Sequence, residues 1–154
     1  MTTTELPHVG VTHEGGDRFG IAVRGHRLTV DQPLEAGGED TAPTPTELLV
    51  ASLASCVAFY ARRHLARHGL PTDGLAVDAS YEMGSRPARV ARVDLAVRVP
   101  DGVPEARLAP LLAVARHCTV HNTLVAAPEV EVTLAGPEVP AAAPARRGTL
   151  EAAS

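Results

Sequence analysis

Two cysteines are the residues of this sequence best suited to chemistry. Cys56 and Cys118 are the only cysteines among the 154 residues and lie 62 positions apart. A cysteine thiolate is a nucleophile and a metal ligand. By residue type alone, each cysteine could equally serve as a small buried hydrophobic residue. A separation of this length permits either contact or distance, so their pairing is a hypothesis at this point.

The number and spacing of the cysteines argue against two common uses. Two cysteines are too few for a secreted disulfide scaffold, and no CxxC pair suggests a zinc ribbon. A weaker metal hypothesis rests on His117, Cys118 and His121, since the two histidines are four positions apart and would share a helical face. Zinc accepts such ligands, so metal binding is one hypothesis for this sequence, and it is the weakest.

The surroundings of Cys56 are unfavourable to a thiolate. It lies within a nearly apolar stretch of 14 residues, 48–61, and burial in apolar surroundings raises the pKa of a thiol. A position in the middle of a helix also removes the benefit of the helix N-terminus. A reactive Cys56 therefore requires a cation from elsewhere in the fold.

Composition excludes several classes of function. All 14 basic residues are arginine, which excludes Schiff-base lysine chemistry and the lysine of a Walker-type phosphate loop. The net charge is −4 and aromatic residues make up 3%, so we expect no binding to nucleic acid. The N-terminus has neither a basic start nor an apolar run, and the 14-residue apolar stretch is too short to span a bilayer. We therefore expect no membrane association and a cytoplasmic protein, in which a transient disulfide would imply redox work.

The hydrophobic pattern predicts elements in the order β-β-α-β-β-α-β, which indicates an α+β fold. Residues 1–17 are polar and rich in turns. The predicted elements are a hairpin over 19–30, a helix over 44–68, strands over 75–82 and 91–99, a helix over 108–118 and a strand over 130–134. We predict one domain over residues 1–136, followed by a flexible Pro- and Ala-rich tail over 137–154.

The predicted helix over 44–68 divides into two halves. Its first half, up to Ala61, is apolar on every side, which predicts burial on every side. Its second half, Arg62 to His68, is basic and is predicted to be a solvated face. His64 and His68 are four positions apart in this half, and we assign them to that face rather than to a metal site.

Two segments of the sequence resemble the OsmC/Ohr family of osmotically inducible and organic-hydroperoxide-resistance proteins. The first runs from Asp31-Gln32-Pro33 through Gly37-Gly38 and Thr44-Pro45-Thr46-Glu47-Leu48-Leu49 to Cys56. The second is Cys118-Thr119-Val120-His121-Asn122-Thr123-Leu124. The resemblance covers roughly residues 8–135 and implies an OsmC-like fold. In that fold, antiparallel sheets wrap around a long central buried helix in an intertwined homodimer with sites near the subunit interface.

The resemblance implies a thiol peroxidase that acts on organic hydroperoxides in oxidative stress defence. Cys56 would attack the peroxide and become a sulfenic acid, and Cys118 would resolve it by forming a disulfide. No bound cofactor is implied. An external dithiol, such as a lipoyl group on a donor protein, would restore both thiols.

The resemblance also implies an arginine from the N-terminal strands and a glutamate near the start of the helix. Arg18 is the best match for the arginine that stabilises the thiolate, with Arg24 and Arg27 as substitutes. Glu47 lies nine positions before Cys56, where the family pattern has ten. Nine helical steps place two side chains about 180° apart, so Glu47 would face away from Cys56 on a regular helix. It could still reach the site if the first turn is irregular, or serve the site of a partner subunit. The alternative is a first-turn acid that interacts with the helix dipole.

Two hypotheses of function follow in addition to metal binding. The leading one is a two-cysteine thiol peroxidase that reduces organic hydroperoxides, because Ala, Leu and Val surround Cys56 and favour an alkyl group. The alternative is an OsmC-like fold that binds a small apolar ligand without peroxidase turnover, which the shifted position of Glu47 favours.

Overall fold

The computed structural model, which describes residues 7–136, contains two antiparallel sheets and a long helix. Together with the shorter helices, this confirms the predicted α+β class. The strands are β1 (Val9–Gly15), β2 (Arg18–Val23), β3 (His26–Val30), β4 (Ala76–Gly84) and β5 (Arg89–Arg98). The helices are α1 (Pro45–Arg67), α2 (Leu108–Ala115) and α3 (Thr119–Val125), with single 3-10 turns at Leu34–Ala36 and Glu105–Arg107.

The first sheet is a meander in the order β1-β2-β3. Strand β2 pairs with β1 on one side, Val11 opposite Ile21, and with β3 on the other, Ile21 opposite Leu28. The sequence analysis missed β1, because Gly10, Thr12 and the polar residues after it obscure the alternation of apolar side chains. Pairing with β2 supplies the backbone hydrogen bonds that this weak strand requires.

Helix α1 begins and ends where its capping residues predict. The Thr44 side chain accepts a hydrogen bond from the backbone of Glu47, whose carboxylate accepts one from the Thr44 N–H, which forms a capping box. Gly69 adopts a φ of 65° just beyond the last turn, a conformation that favours glycine. The buried residues of α1 recur every three or four positions: Val50, Leu53, Val57, Ala61 and Leu65.

One face of α1 is covered and the opposite face is exposed within this chain. The β4–β5 hairpin, α2 and α3 pack on the covered face. On the other face, Leu49 is 43% exposed and Phe59 is 54% exposed, and Ser52 and Ser55 are also exposed. Within residues 7–136, the first half of α1 is therefore buried on one face only, and not on every side as the sequence predicts.

The core consists of two clusters along the covered face. The first contains Leu53 and Val57 of α1 with Ala115 and Cys118, and side chains of the β4–β5 hairpin pack against it. The second contains Ala61, Leu65 and Leu111. Within residues 7–136, the β1-β2-β3 sheet makes no extended contact with α1 or with the hairpin.

The C-terminal part of the predicted architecture differs from the structure. The predicted helix over 108–118 ends at Ala115, and a separate helix, α3, begins at Thr119. The predicted strand over 130–134 is wrong, because this segment is not a strand in the described chain. Its side chains Val130, Val132 and Leu134 are 77%, 86% and 97% exposed, so alternation alone does not form a strand without a neighbour to pair with. The predicted tail, 137–154, lies outside the described residues.

A buried carboxylate organises the loop between β3 and α1. Asp31 is almost fully buried and accepts hydrogen bonds from the N–H of Gln32 and from the N–H and hydroxyl of Thr41, at 2.8, 3.0 and 2.7 Å. These bonds, first those of Thr41, lower the pKa of Asp31 to about 2. Gly38 packs against the backbone of Gln32 in the same loop, where a Cβ atom would overlap the carbonyl group. The loop is thus held closed before α1 begins.

Asp31→Asn should lower the melting temperature at neutral pH, because an amide nitrogen cannot accept the bonds that the carboxylate accepts. The folded-state pKa of Asp31 is depressed, so its contribution is fully present above the ordinary value of 3.8 and is lost as pH falls toward about 2. The difference between the two proteins should therefore shrink over that interval in thermal melts followed by circular dichroism. Asp40→Asn, an exposed change in the same loop, is the control. Equal melting temperatures for Asp31→Asn and the unaltered protein at pH 7 would contradict this role.

Candidate active site

The fold brings the two cysteines into one apolar cluster. Cys56 is half-buried on α1 and packs against the cluster that contains the fully buried Cys118. Both are free thiols, and Cys56 lies close enough to Cys118 to contribute to the pKa of its thiol. The packing of α3 on α1 therefore brings together two cysteines that are 62 positions apart in sequence.

The surroundings of Cys118 keep its thiol protonated. Burial is the largest cause and raises its pKa, and the neighbouring Cys56 raises it further. Cys118 is also the N-cap residue of α3, where its sulfur accepts the N–H of His121 at 3.4 Å, which lowers the pKa but does not outweigh burial. A buried thiol of this kind is poorly suited to attack a substrate from solvent. Its neighbour in the cluster is the thiol of Cys56.

Tyr60 joins the two segments that carry the cysteines. It lies one helical turn after Cys56, and its hydroxyl forms a hydrogen bond of 2.9 Å with the hydroxyl of Thr119, which directly follows Cys118. This bond fixes the N-terminus of α3 against α1. Sequence reasoning missed Tyr60. The only available signal was its spacing of four residues from Cys56, which places both on one helical face.

A cavity of about 280 Å³ lies beside the buried cysteine, although neither cysteine lines it. Ala115 and His121, three positions before and after Cys118, both line it. Its wall is mixed, because six of the nine lining side chains are apolar and Asp94, Arg116 and His121 contribute charged and polar groups. The lining residues are Val57, Val93, Asp94, Leu95, Val97, Leu112, Ala115, Arg116 and His121. A cavity of this character accepts an alkyl group with a polar end.

The arginines predicted from the N-terminal strands have other partners within this chain. Arg18 of β2 pairs with Glu39 at 3.3 Å, and Arg27 of β3 pairs with Glu14 at 3.1 Å. Arg24 is exposed in the turn between these strands. Among the described residues, no arginine contributes to the pKa shift of Cys118. The fold of one chain therefore brings the two cysteines together but leaves Arg18 in the separate first sheet.

Glu47 lies at the start of α1 and caps it. Its carboxylate accepts the N–H of Thr44 at 2.7 Å, and the side chain is exposed. The helix is continuous from Pro45 to Arg67, so the helical spacing that turns Glu47 away from Cys56 applies.

The structure does not assemble the metal ligands that were considered. Within residues 7–136, no group of three or more His, Cys, Asp or Glu side chains is arranged to hold a metal ion. The Nδ1 of His117 instead forms a hydrogen bond of 2.7 Å with the carbonyl of Ala113. No helix in this part of the chain is both long and apolar enough to cross a membrane.

Comparison with protein families matches residues 37–133 to the OsmC-like protein family. The matched segment is more than half of the 154 residues and contains both cysteines. The chain belongs to the OsmC-like family, which confirms the resemblance seen in the two sequence segments. No curated protein matches the chain.

Solved structures with the same fold support this assignment. A protein of Psychrobacter arcticus 273-4, named for an osmotic stress induced and detoxification response, has a TM-score of 0.73 and 22% identity over 80% of this chain and 91% of that one. An OsmC-like protein of Mycoplasma pneumoniae has a TM-score of 0.69 and 14% identity, over 81% and 91%. An organic hydroperoxide resistance protein of Elizabethkingia anophelis has a TM-score of 0.60 and 21% identity, over 79% and 90%. At these identities the likeness shows the fold alone.

Tyr60→Phe should slow formation of a Cys56–Cys118 disulfide by about fivefold, the effect of losing one hydrogen bond that holds the two segments together. The measurement is the loss of two hydrogens by mass spectrometry during treatment with a thiol-specific oxidant. Thr119→Val should have the same effect, and the double variant no greater one.

Tyr81→Phe is the matched control for this experiment. Tyr81 is the other tyrosine of the chain and lies on β4, where it forms no hydrogen bond through its hydroxyl among the described residues. If Tyr60→Phe and Tyr81→Phe oxidise at the same rate, the Tyr60–Thr119 bond does not position the cysteines.

Proposed function

We propose that this protein is a two-cysteine thiol peroxidase that reduces organic hydroperoxides in oxidative stress defence. The observation that supports this most directly is the packing of the half-buried Cys56 against the buried Cys118. Membership of the OsmC-like family supports it too, since proteins with this fold include one named for organic hydroperoxide resistance. The difference in burial supports the two roles proposed here, in which Cys56 meets the substrate and Cys118 reacts second.

The proposed reaction proceeds in three balanced steps. The Cys56 thiolate attacks the terminal oxygen of the hydroperoxide, the O–O bond breaks, and the alkoxide takes a proton and leaves as an alcohol. Cys56 is then a sulfenic acid. The sulfur of Cys118 attacks it, an S–S bond forms, and the hydroxyl group leaves as water with the proton of Cys118. An external dithiol, for which a lipoyl group is the proposed class, then reduces the disulfide by exchange and is itself oxidised.

The cavity beside Cys118 supports an organic substrate. Val57, the residue after Cys56, lines this cavity, so the apolar part of its wall would bury the alkyl group of a hydroperoxide that reacts at Cys56. Burial of each methylene contributes about 0.8 kcal/mol. Hydrogen peroxide has no alkyl group and would gain nothing from this wall. We therefore propose a preference for alkyl hydroperoxides.

A second copy of the chain is proposed to complete the site. Arg18 lies in a sheet that makes no extended contact with α1 in its own chain, and one face of α1 is apolar and exposed. In an intertwined cytoplasmic homodimer, that sheet would cover the partner, and Arg18 would exchange Glu39 for the thiolate and stabilise it. Arg24 and Arg27 remain substitutes for this role.

The alternative function is binding of a small apolar ligand without turnover. The capping role of Glu47 favours it, because a carboxylate held by the Thr44 N–H is not free to act at the thiol. The apolar side chains of the cavity beside Cys118 fit this function equally well. The two hypotheses differ in whether Cys56 is oxidised by a peroxide. One assay can therefore separate them.

Cys56→Ser should reduce consumption of an alkyl hydroperoxide to the uncatalysed background, because a serine hydroxyl does not ionise at neutral pH. The assay follows cumene hydroperoxide with dihydrolipoamide as the reductant. Cys118→Ser should still react once with the peroxide and accumulate a sulfenic acid that a dimedone label traps.

Ser85→Ala, an exposed change in the turn between β4 and β5, is the control and should retain full activity. Equal rates for Cys56→Ser and the unaltered protein would refute the peroxidase. The other outcome is that the unaltered protein consumes no peroxide and binds an apolar fluorescent probe. If the Leu112→Arg variant then fails to bind the probe, ligand binding is the better description.

Phe59→Arg should weaken self-association by at least about tenfold, because it places a charge in the exposed apolar face of α1 that a second copy is proposed to bury. Sedimentation velocity over a concentration series measures this effect. Leu34→Arg, at an exposed residue of the loop, is the control and should sediment as the unaltered protein does. A chain that is monomeric throughout the series would contradict the homodimer.

A further inference from the structure

The basic end of α1, residues 62–68, lines a second cavity, which is separate from the cavity beside Cys118. Its volume is about 270 Å³. Its lining residues are Tyr60, Arg63, His64, Arg67, His68 and Val114. Four of these six side chains are arginine or histidine. Arg63, Arg67 and His68 are exposed, as expected for a solvated face, and with Val114 of α2 they border a concave site that is open to solvent.

One imidazole in this cavity lacks a hydrogen-bonding partner. The Nε2 atom of His64 is buried, and no group within residues 7–136 forms a hydrogen bond with it. A buried polar atom without a partner is costly, so such atoms in folded proteins are usually satisfied by water or a ligand. His64 therefore marks a position where a further group would be stabilised.

The charges around His64 favour an anion. Burial first, and then the positive groups of His68 and Arg107, lower the pKa of His64. Within residues 7–136, neither Arg63 nor Arg67 forms a salt bridge, and the four salt bridges involve other arginines. Positive side chains are thus clustered at this end of α1 without a salt bridge within residues 7–136, in a chain whose net charge is −4.

The helix dipole explains only part of this arrangement. Arg67 and His68 lie at the C-terminus of α1, where cations are favourable, and the Nδ1 of His68 forms a hydrogen bond of 2.8 Å with the carbonyl of His64. This interaction accounts for basic residues in the last turn. It accounts neither for the cavity nor for the unpartnered Nε2 atom of His64.

We propose that the cavity lined by Arg63, His64 and Arg67 binds a dianionic phosphate group. Two guanidinium groups match the charge and the several acceptor oxygens of phosphate, and the Nε2 of His64 would donate a third contact. A liquid water molecule, with one heavy atom, occupies about 30 Å³, so a cavity of about 270 Å³ has room for the five heavy atoms of a phosphate group and for an attached organic part. The remaining space lies against Tyr60 and Val114, which suits the organic part of a small phosphate monoester.

Isothermal titration calorimetry with inorganic phosphate and with glycerol 3-phosphate, at constant ionic strength, tests this site on the full chain. Saturable binding is expected, and Arg63→Ala or Arg67→Ala should each weaken it by about tenfold, the effect of one lost charge-assisted hydrogen bond. Arg62→Ala is the matched control, since Arg62 is an exposed arginine of the same helix that does not line the cavity. Tighter binding of the monoester would identify the organic phosphate as the ligand class, and equal affinity would identify free phosphate.

Two results would overturn the proposal. One is the absence of saturable binding at millimolar concentrations of both ligands. The other is an equal loss of affinity in Arg62→Ala and Arg67→Ala, which would show diffuse attraction rather than a site.

The imidazole of His64 provides a second readout that does not depend on affinity alone. Its ring resonance in NMR spectra, assigned with His64→Gln, should shift on addition of phosphate, and less in Arg67→Ala. Cys56→Ser should bind phosphate as the unaltered protein does, because Cys56 does not line this cavity. Failure of the peroxidase and failure of the phosphate site are therefore distinguishable.

Discussion

The packing of the α3 N-terminus on the middle of α1 is the constraint on which the cysteine site depends. Cys118 is extended, with a ψ of 155°, so the chain leaves α2 and turns into α3 at the cysteine itself. Its thiol is thereby buried with Leu53 and Val57 of α1 and within reach of Cys56. Had the helix over 108–118 continued as the apolar pattern predicts, Cys118 would not be the capping residue of α3. The break between α2 and α3 therefore makes the pair possible.

Local signals predicted those parts of the fold that local interactions determine. The predicted helix over 44–68 agrees with α1, which a capping box and a glycine delimit, and clean alternation predicted β4 and β5. Apart from the break between α2 and α3, the errors concern strands whose existence depends on a neighbour. Strand β1 is weak in sequence yet pairs with β2, whereas the segment 130–134 alternates well yet pairs with nothing described. Strand pairing depends on the whole fold. The alternation of apolar residues therefore predicts a strand over 130–134 that does not form, and it misses β1.

The candidate site was predictable in its residue types but not in its geometry. The two cysteines were identified by their chemistry and by the family resemblance, yet only packing shows that they share one cluster. Tyr60 reads in sequence as one more core aromatic, because its bond to Thr119 joins residues 59 positions apart. The orphaned nitrogen of His64 was equally hidden, since a basic helix end normally faces solvent. Long-range contacts of single polar atoms leave no periodic signal.

The position of Glu47 shows how a shift of one residue changes what a carboxylate can do. On the continuous helix α1, nine positions separate it from Cys56 by about half a rotation, and the Thr44 N–H holds its carboxylate at 2.7 Å. A charged hydrogen bond of this kind stabilises a helix N-terminus, so moving Glu47 to a thiol would remove the cap as well as turn the side chain. The Glu47 carboxylate cannot cap α1 and lie at the Cys56 thiol at the same time. In the proposed peroxidase, an arginine would have to stabilise the Cys56 thiolate, and within one chain the candidate Arg18 is bound to Glu39. The proposed chemistry would thus depend on where the first sheet lies, and that sheet has little contact with the rest of its own chain.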